Sequence, residues 1–396
     1  MRKKNKFQKP NPVVYFVYRL ICKFIAKFIF NTKILRNEAK GVKGSYIVLA
    51  NHESQIDFIN LSVAMRRRTH MVISNSFYQT LSIKPLLDMI RVIPKQQFQT
   101  SPADIKKMKK VIDNEMPLAI YPVGLMTENG MSTDPGMSIA KLLKFLKTDV
   151  YVCFSEGSYL TNPKWSKKRR KGKITIDVYK LLSKEEVAEY SDSELYQLVR
   201  KHIDYNAYEN QRKNQVIYKD GDNIEGLEYV LYQCPKCKTN KSIVSHNTTN
   251  LKCNCCNYEV KADKYGFLNG DEVIYDSPAD WANEILHNLK EEIIKNPNYE
   301  LTDDVTISMI NYQKRRFEEV GKGKVSINKD NIILTGIIND EEISHTFVTK
   351  TYPMLPFVPG RQLELQDGQT IYRLKFKDPY NVMIFINMIK VVPLLN

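Results

Sequence analysis

The sequence has few cysteines for its length and lacks a long apolar run. Its 396 residues include 7 cysteines, five of which lie between Cys234 and Cys256. This distribution argues against a secreted disulfide scaffold and favours a metal site in a reducing compartment. The longest uncharged apolar runs, at residues 13–18 and 381–389, are much shorter than the roughly 20 residues that span a bilayer. We therefore expect no transmembrane helix and no cleavable signal, and the length predicts two or three domains.

Positive charge is concentrated in two segments. The chain carries 59 Lys and Arg against 44 Asp and Glu, a net charge of +15. Residues 1–43 contribute +11 and residues 161–173 contribute +7, so the rest of the chain is slightly acidic at −3. Positive charge that is concentrated in two segments predicts surfaces that bind anionic partners.

The first basic segment predicts an amphipathic helix over residues 13–30. Arg19, Lys23 and Lys27 recur every four residues and form a narrow cationic stripe beside a wide apolar face. We interpret residues 1–34 as a segment that contacts an anionic membrane, which predicts a peripheral protein at the cytoplasmic face of the cell membrane. The alternative is a helix that packs on its own domain.

The second basic segment, residues 164–173, is interpreted either as an anion-binding loop or as a solvated one. Tyr159, Pro163 and Trp165 lie beside it. They are interpreted either as lining a ligand entrance, with residues 167–171 meeting the phosphates of the ligand, or as ordinary packing residues.

Residues 35–215 alternate between strand and helix patterns and predict one α/β domain with a mixed sheet flanked by helices. Predicted strands cover residues 46–50, 71–74, 118–121, 150–154 and 173–179. Predicted helices cover residues 58–66, 101–112 and 138–146. Ser183 with Glu186, and Ser191 with Glu194, have capping-box spacing and predict two further helix starts.

A four-cysteine pattern follows at residues 227–268. Cys234, Cys237, Cys253 and Cys256 have the spacing of a small zinc ribbon, with a register using Cys255 left open. Four thiolates close a tetrahedral site, so we expect the zinc to be structural. Nucleic-acid binding is the weakest interpretation, because stacking aromatics are not interleaved with the basic residues of the ribbon.

The remaining chain predicts a linker helix within residues 275–300 and a β-rich domain over residues 303–396. Short alternating runs are followed by an amphipathic helix from residue 379 to about 390. This pattern resembles a pleckstrin-homology or GRAM-type β-roll. The alternative is a generic small β domain.

The residues that suggest chemistry follow the first predicted strand. In the run Asn51-His52-Glu53-Ser54-Gln55-Ile56-Asp57, the histidine can act as a general base while Asp57 orients its imidazole. An Arg91-Val92-Ile93-Pro94-Lys95 segment and a Tyr121-Pro122-Val123-Gly124 segment come later. Over residues 35–215 the chain therefore resembles the phospholipid/glycerol acyltransferase family, the lysophosphatidic acid acyltransferases. That family is recognised by Asn-His-x-x-x-x-Asp, an Ile-Pro segment and Phe-Pro-Glu-Gly-Thr-Arg-Ser.

The resemblance implies an activity and a set of site residues. His52 would deprotonate an acceptor hydroxyl, which attacks the thioester of acyl-CoA or acyl carrier protein, and the acceptor would be a lysophospholipid or related glycerolipid. The expected substrate-binding residues are Asn51, Arg91, Lys95, Tyr121, Pro122, Gly124 and Thr127.

Two departures from the family pattern concern the acceptor. Val123 and Met126 stand where the family has Glu and Arg, and Lys95 is the cation near Gln97, where the family has a second Arg. Charge-assisted contacts contribute about 1.5–3 kcal/mol each, so the acceptor site must differ or be weaker. The alternative function is a weakened or inactive lipid-binding protein on an acyltransferase scaffold.

Overall fold

A computed structural model describes residues 7–96 and 101–395. The basic residues before Phe7, and Gln97, lie outside these ranges. The chain forms two compact units: the first contains residues up to Asn162 together with Lys171–Val216, and the second contains Pro163–Arg170 together with Ile217–Asn396. The region 35–215 is therefore interrupted, because the chain leaves the first unit for eight residues and then returns to it.

The first unit is an α/β domain. Its strands are β1 (Thr32–Asn37), β2 (Tyr46–Ala50), β3 (His70–Ser74), β4 (Ile93–Lys95), β5 (Leu118–Ile120), β6 (Asp149–Glu156) and β7 (Ile174–Leu182). Its helices are α1 (Pro12–Phe24), α2 (Asp57–Ala64), α3 (Asn75–Thr80), α4 (Lys84–Met89), α5 (Pro102–Asp113), α6 (Ser138–Leu146), α7 (Ser158–Thr161), α8 (Lys184–Glu189), α9 (Asp192–Ile203) and α10 (Ala207–Asn214).

The sheet of this unit is mixed, as the sequence predicts. In the described residues the strand order is β1-β7-β6-β2-β5-β3-β4. Strands β6, β2, β5, β3 and β4 run parallel, and β7 is antiparallel to β6. All five residues of β2 are buried, because it lies in the middle of the sheet with helices on both faces.

Local signals fix several helix starts. The side chain of Ser101 accepts a hydrogen bond from the backbone N–H of Ala103 at the start of α5. Both predicted capping boxes are present, at Ser183 for α8 and Ser191 for α9. These predictions are confirmed because a cap depends only on residues within one helical turn.

Helix α1 has one buried face and one exposed apolar face. It continues into a π-helical turn at Ile25–Ile29, so the predicted helix over residues 13–30 is confirmed. Tyr15, Tyr18 and Cys22 are buried. The exposed apolar face comprises Val13, Phe16, Val17, Leu20, Ile21, Phe24 and Phe28.

The predicted cationic stripe on α1 is wrong at Arg19. Its guanidinium donates hydrogen bonds to the backbone oxygens of Ser62, Val63 and Arg66, each at 3.3 Å. These carbonyls lie at the carboxyl end of α2, where the last carbonyl groups lack partners within the helix. Lys23 and Lys27 are exposed, as predicted.

The second unit combines two sheets with two long helices. The first sheet has the strand order β11-β10-β9-β8 and contains β8 (Ile243–His246), β9 (Asn250–Cys253), β10 (Glu259–Ala262) and β11 (Leu268–Asn269). Helix α11 (Pro278–Lys295) follows, close to the predicted bounds. Tyr232, Trp281 and Leu363 belong to the same buried core, so the segments predicted as the ribbon, the linker helix and the β domain pack together within this unit.

The second sheet of this unit is antiparallel and has the order β15-β14-β13-β12-β18-β17-β16 in the described residues. Its strands are β12 (Leu301–Asn311), β13 (Arg316–Ile327), β14 (Asn331–Ile338), β15 (Glu341–Val348), β16 (Phe357–Val358), β17 (Gln362–Asp367) and β18 (Thr370–Phe376). Helix α12 (Asn381–Val391) comes last and is almost entirely buried. Short 3₁₀ turns occur at Leu227–Tyr229, Thr349–Thr351 and Val392–Leu394. Across the described part of both units, no helix is both long enough and apolar enough to cross a bilayer.

Candidate active site

The predicted site residues gather mainly at one edge of the first sheet. The carboxyl ends of the parallel strands β2, β3, β4, β5 and β6 meet at this edge. His52 follows β2 by two residues, Tyr121 follows β5 directly, and Lys95 ends β4. Ligands of open α/β sheets bind outside the carboxyl ends of the strands, so this edge is the candidate site.

His52 and Asp57 form a hydrogen-bonded pair. The Nδ1 atom of His52 lies 3.0 Å from Oδ2 of Asp57, whose side chain is buried in the first turn of α2. The same Oδ2 accepts from the backbone N–H groups of Glu53, at 2.6 Å, and Ser54, at 2.8 Å. A carboxylate held by two amides fixes the imidazole and favours the tautomer protonated at Nδ1. Nε2 then remains free to accept a proton, and 19% of the His52 side chain is exposed.

Tyr121 packs on the imidazole. Its ring lies 4.3 Å from the His52 ring, centroid to centroid, and the two planes differ by 26°. Pro122 follows within a tight turn that the N–H of Gly124 closes by donating to the Tyr121 carbonyl at 3.1 Å. Gly124 has φ of 73°, which a residue without Cβ adopts readily. Its N–H therefore closes the turn. A contact between Gly124 and substrate stays a prediction.

Asn51 is buried and joins the loop after β2 to the end of β6. Its amide nitrogen donates to the backbone oxygen of Ser155 at 2.7 Å and to Glu53 Oε1 at 2.8 Å. Its amide oxygen accepts from the N–H of Ser155 at 2.7 Å. Both ends of the amide are engaged and 1% of the residue is exposed, so Asn51 positions the loop, whereas the sequence analysis expected it to contact substrate.

Glu53 is a site residue that the sequence analysis did not identify. Its Oε2 accepts from the N–H of Tyr159 at 3.0 Å, so it links the histidine loop to α7. Burial and the nearby charge of Asp57 raise the pKa of Glu53 well above its usual range. No local pattern indicates this role, because Tyr159 lies 106 residues away in the chain.

Thr127 and Arg91 were also expected to contact substrate, but the structure gives each of them other contacts. Thr127 is buried, and its Oγ1 accepts from the N–H groups of Asn129 and Gly130, so it stabilises a turn. The backbone oxygen of Arg91 accepts from His70 Nδ1 at 2.9 Å, and His70 begins β3. Arg91 therefore lies at the amino end of β3, about 15 Å of strand away from the candidate edge at roughly 3.3 Å per residue.

Lys95 is an expected contact that, like Tyr121, lies at the candidate edge. It pairs with Ser74 at the carboxyl end of β3. Burial lowers the pKa of its ammonium group, although the carboxylate of Asp104 opposes the shift. A partly desolvated cation interacts more strongly with an anion than one in bulk water.

Val123, which stands where the family has Glu, lies in the core of the first unit. Val123 is 7% exposed and belongs to a core cluster with Ile47 and Ile120.

In the second unit Trp165 is buried in the core and Arg170 stacks on it, with 5.1 Å between the guanidinium carbon and the ring centroid. Of the two interpretations of Trp165, ordinary packing fits the structure, because its ring is a core residue of the second unit.

Four cysteines in the second unit can hold a metal ion such as zinc. The sulfur atoms of Cys234, Cys237, Cys253 and Cys256 all lie within 4.8 Å of one another. The Cys234–Cys256 and Cys237–Cys253 sulfur distances are 3.6 and 3.7 Å. Four thiolates at about 2.3 Å from a tetrahedral ion lie roughly 3.8 Å apart, so the geometry fits. Cys255 is exposed and lies outside this cluster, which resolves the register in favour of Cys256.

Part of the first unit matches a known protein family. Residues 30–161 match the family model described as Acyltransferase, and this segment contains His52, Asp57, Tyr121 and Gly124. The match supports the acyltransferase family that the sequence resembles.

A solved structure and the curated proteins complete the comparison. The chain is similar to the crystal structure of the 1-acyl-sn-glycerophosphate (LPA) acyltransferase PlsC from Thermotoga maritima, with 15% identity and a TM-score of 0.39. The alignment covers 51% of this chain and 83% of that one. None of the curated proteins matches the chain.

Proposed function

We propose that this protein transfers a fatty acyl group from acyl-CoA or acyl carrier protein to a hydroxyl of a lysophospholipid or related glycerolipid. The observation that carries the proposal is the His52–Asp57 pair at the carboxyl ends of the parallel strands. Its Nδ1 and Oδ2 atoms lie 3.0 Å apart. The pair lies inside the segment that matches the Acyltransferase family.

The proposed reaction needs one base and a bound thioester. Nε2 of His52 takes the proton of the acceptor hydroxyl as the oxygen attacks the thioester carbonyl. The tetrahedral intermediate then collapses, the carbon–sulfur bond breaks, and the leaving thiolate takes the proton from His52. The products are an ester and a free thiol, and such a base contributes about 10²–10⁴ in rate.

In the proposed acceptor site, Val123 and Met126 stand where the family has the charged residues Glu and Arg. Val123 is packed in the core, so that position supplies no polar contact to a headgroup. Lys95 is the cation that we propose meets an anionic acceptor, because it lies at the candidate edge and is partly desolvated. A weakened or inactive lipid-binding protein is the second candidate function, and the apolar surroundings of Val123 are the observation that favours it.

We propose that the exposed apolar face of α1 enters the interfacial region of an anionic membrane. Phe16 and Phe28 are each 62% exposed and Phe24 is 60% exposed. An exposed aromatic patch of this kind is unusual on a soluble surface, and Lys23 and Lys27 lie beside it to meet anionic headgroups. We further propose the cytoplasmic face of the cell membrane as the location, because none of the seven cysteines, all of which lie in the described residues, forms a disulfide.

In the second unit we propose a structural zinc ribbon followed by a pleckstrin-homology or GRAM-type β-roll. The sulfur geometry of the four cysteines supports the ribbon. The antiparallel order β15-β14-β13-β12-β18-β17-β16 and the buried final helix α12 support the β-roll.

The experiment that tests the activity is a transfer assay with the full chain. Radiolabelled acyl-CoA and acyl carrier protein donors are each offered with a panel of lysophospholipids that differ in headgroup. We expect ester formation with one donor class, and Lys95→Met should raise the KM for anionic acceptors more than for neutral ones. Absence of transfer with every pair, together with retained lipid binding, favours the non-catalytic candidate.

A further inference from the structure

Two buried polar atoms beside the imidazole lack protein partners. Among the described residues, neither the hydroxyl oxygen of Tyr121 nor Oδ1 of Asp57 has a hydrogen-bond partner, and both atoms are buried. A buried polar group that is left unsatisfied destabilises the fold, so such atoms are usually bonded to each other or to an ordered water. Both residues contact His52, one by ring stacking and the other by its Oδ2.

We propose that the Tyr121 hydroxyl donates a hydrogen bond, through one buried water, to Oδ1 of Asp57 and thereby tunes the proton affinity of His52. Burial and the charge of Asp57 raise the pKa of the Tyr121 hydroxyl well above its usual value, so it stays protonated and able to donate. Oδ2 of Asp57 already accepts from His52 and two amides, which leaves Oδ1 as the acceptor.

The proposal makes Tyr121 a positioning residue with an electrostatic role. A donor on Oδ1 spreads the negative charge of Asp57 away from the imidazole, so the imidazolium form of His52 is less stabilised. The hydroxyl therefore favours the neutral imidazole, which is the form that can act as a base. Its catalytic consequence rests on the proposed function, whereas its effect on the titration of His52 does not.

Several other groups surround the pair and have to stay constant in a test. The loop after β2 carries Glu53, whose own neighbour is Glu156 at the end of β6. Cys153 on β6 and Tyr18 on α1 also face the Tyr121 hydroxyl. These four groups are unchanged when only the hydroxyl of Tyr121 is removed.

The test is an NMR titration of the His52 imidazole in the full chain, with Tyr121→Phe compared to the native protein and His52→Ala used for assignment. Phe keeps the stacked ring and removes only the hydroxyl. We expect the titration midpoint to rise by about half a pH unit or more in Tyr121→Phe. Tyr46→Phe should leave the midpoint unchanged, because Tyr46 is a buried tyrosine whose ring packs at a tilt against Tyr151.

A double variant distinguishes coupling through Asp57 from a packing effect. In an Asp57→Asn background, Tyr121→Phe should no longer shift the midpoint, since the charge it modulates is gone. An equal shift in both backgrounds, or no shift in either, overturns the proposal. A shift in a protein that shows no acyl transfer refutes the proposed function and supports this one, whereas transfer without any shift does the reverse.

Discussion

The guanidinium of Arg19 donates to the backbone oxygen of Ser62, with 3.3 Å between Nε and the oxygen. The hydroxyl of Tyr18 forms a hydrogen bond with the side chain of the same serine. Ser62 belongs to α2, the helix whose first turn contains Asp57. The helix that we propose contacts the membrane is therefore attached directly to the helix that orients His52.

Arg19 should contribute to stability more than to membrane binding. Arg19→Met removes three charge-assisted hydrogen bonds to the end of α2, and we expect a loss of about 1–2 kcal/mol in the free energy of unfolding. Lys23→Met, on the same helix but exposed, should change stability by less than about 0.5 kcal/mol. Urea unfolding of both variants measures this, and equal losses would contradict the assignment of Arg19.

The exposed aromatic residues of α1 should carry membrane binding. Phe16→Glu combined with Phe24→Glu places two charges on the face that enters the membrane, so co-sedimentation with vesicles containing anionic lipid should fall at least tenfold. Phe145→Glu is the matched control, because Phe145 is also exposed but lies on α6. Binding of the native protein should weaken with added salt, since Lys23 and Lys27 meet anionic headgroups. Equal loss in the control would argue against α1.

His70 should make stability fall in acid. Burial lowers its pKa from 6.5 to about 4, so the unfolded chain takes up a proton that the native protein does not. This stabilisation is complete above pH 6.5 and is lost as the pH falls toward 4, by about 3 kcal/mol in total.

The free energy of unfolding at pH 7 and at pH 5 tests this effect. We expect His70→Asn to show a smaller decrease between the two pH values than the native protein. His246→Asn, which replaces an exposed histidine, should behave like the native protein. Identical decreases in all three proteins would exclude His70 as the source.

Removing one thiolate should release the metal. Cys237→Ser should lose bound zinc and lower the melting temperature of the second unit, because a structural zinc contributes on the order of 10 kcal/mol to folding. Cys255→Ser, in the same segment, should keep one zinc per chain, since its sulfur lies outside the cluster. Elemental analysis of the purified proteins gives the ratio, and zinc loss in the Cys255 variant instead would reverse the register.

Local signals in the sequence predict much of the first unit. Strand β2 is a continuous apolar run, and the starts of α5, α8 and α9 each depend on a serine within one turn. The His52–Asp57 pair was also predictable, because its members lie only five positions apart in the sequence.

Contacts between distant segments were not predictable from the sequence. Asn51 and Thr127 were expected to meet substrate because they lie in or next to segments that resemble the family motifs, but each satisfies backbone groups in the fold. Arg19 fits a four-residue repeat of basic residues, yet its role depends on where α2 ends, 43 residues later. Trp165 lies in a basic run that indicates a surface loop, although its ring is buried in a core assembled from residues beyond 217.

The central claim is that His52 acts as the base in acyl transfer. The most direct measurement is kcat for ester formation by the purified native protein and by His52→Ala, with His287→Ala as an exposed control on α11. We predict a loss of about 10²–10⁴ in kcat for His52→Ala and no change for the control. Native activity that persists in His52→Ala would contradict the account.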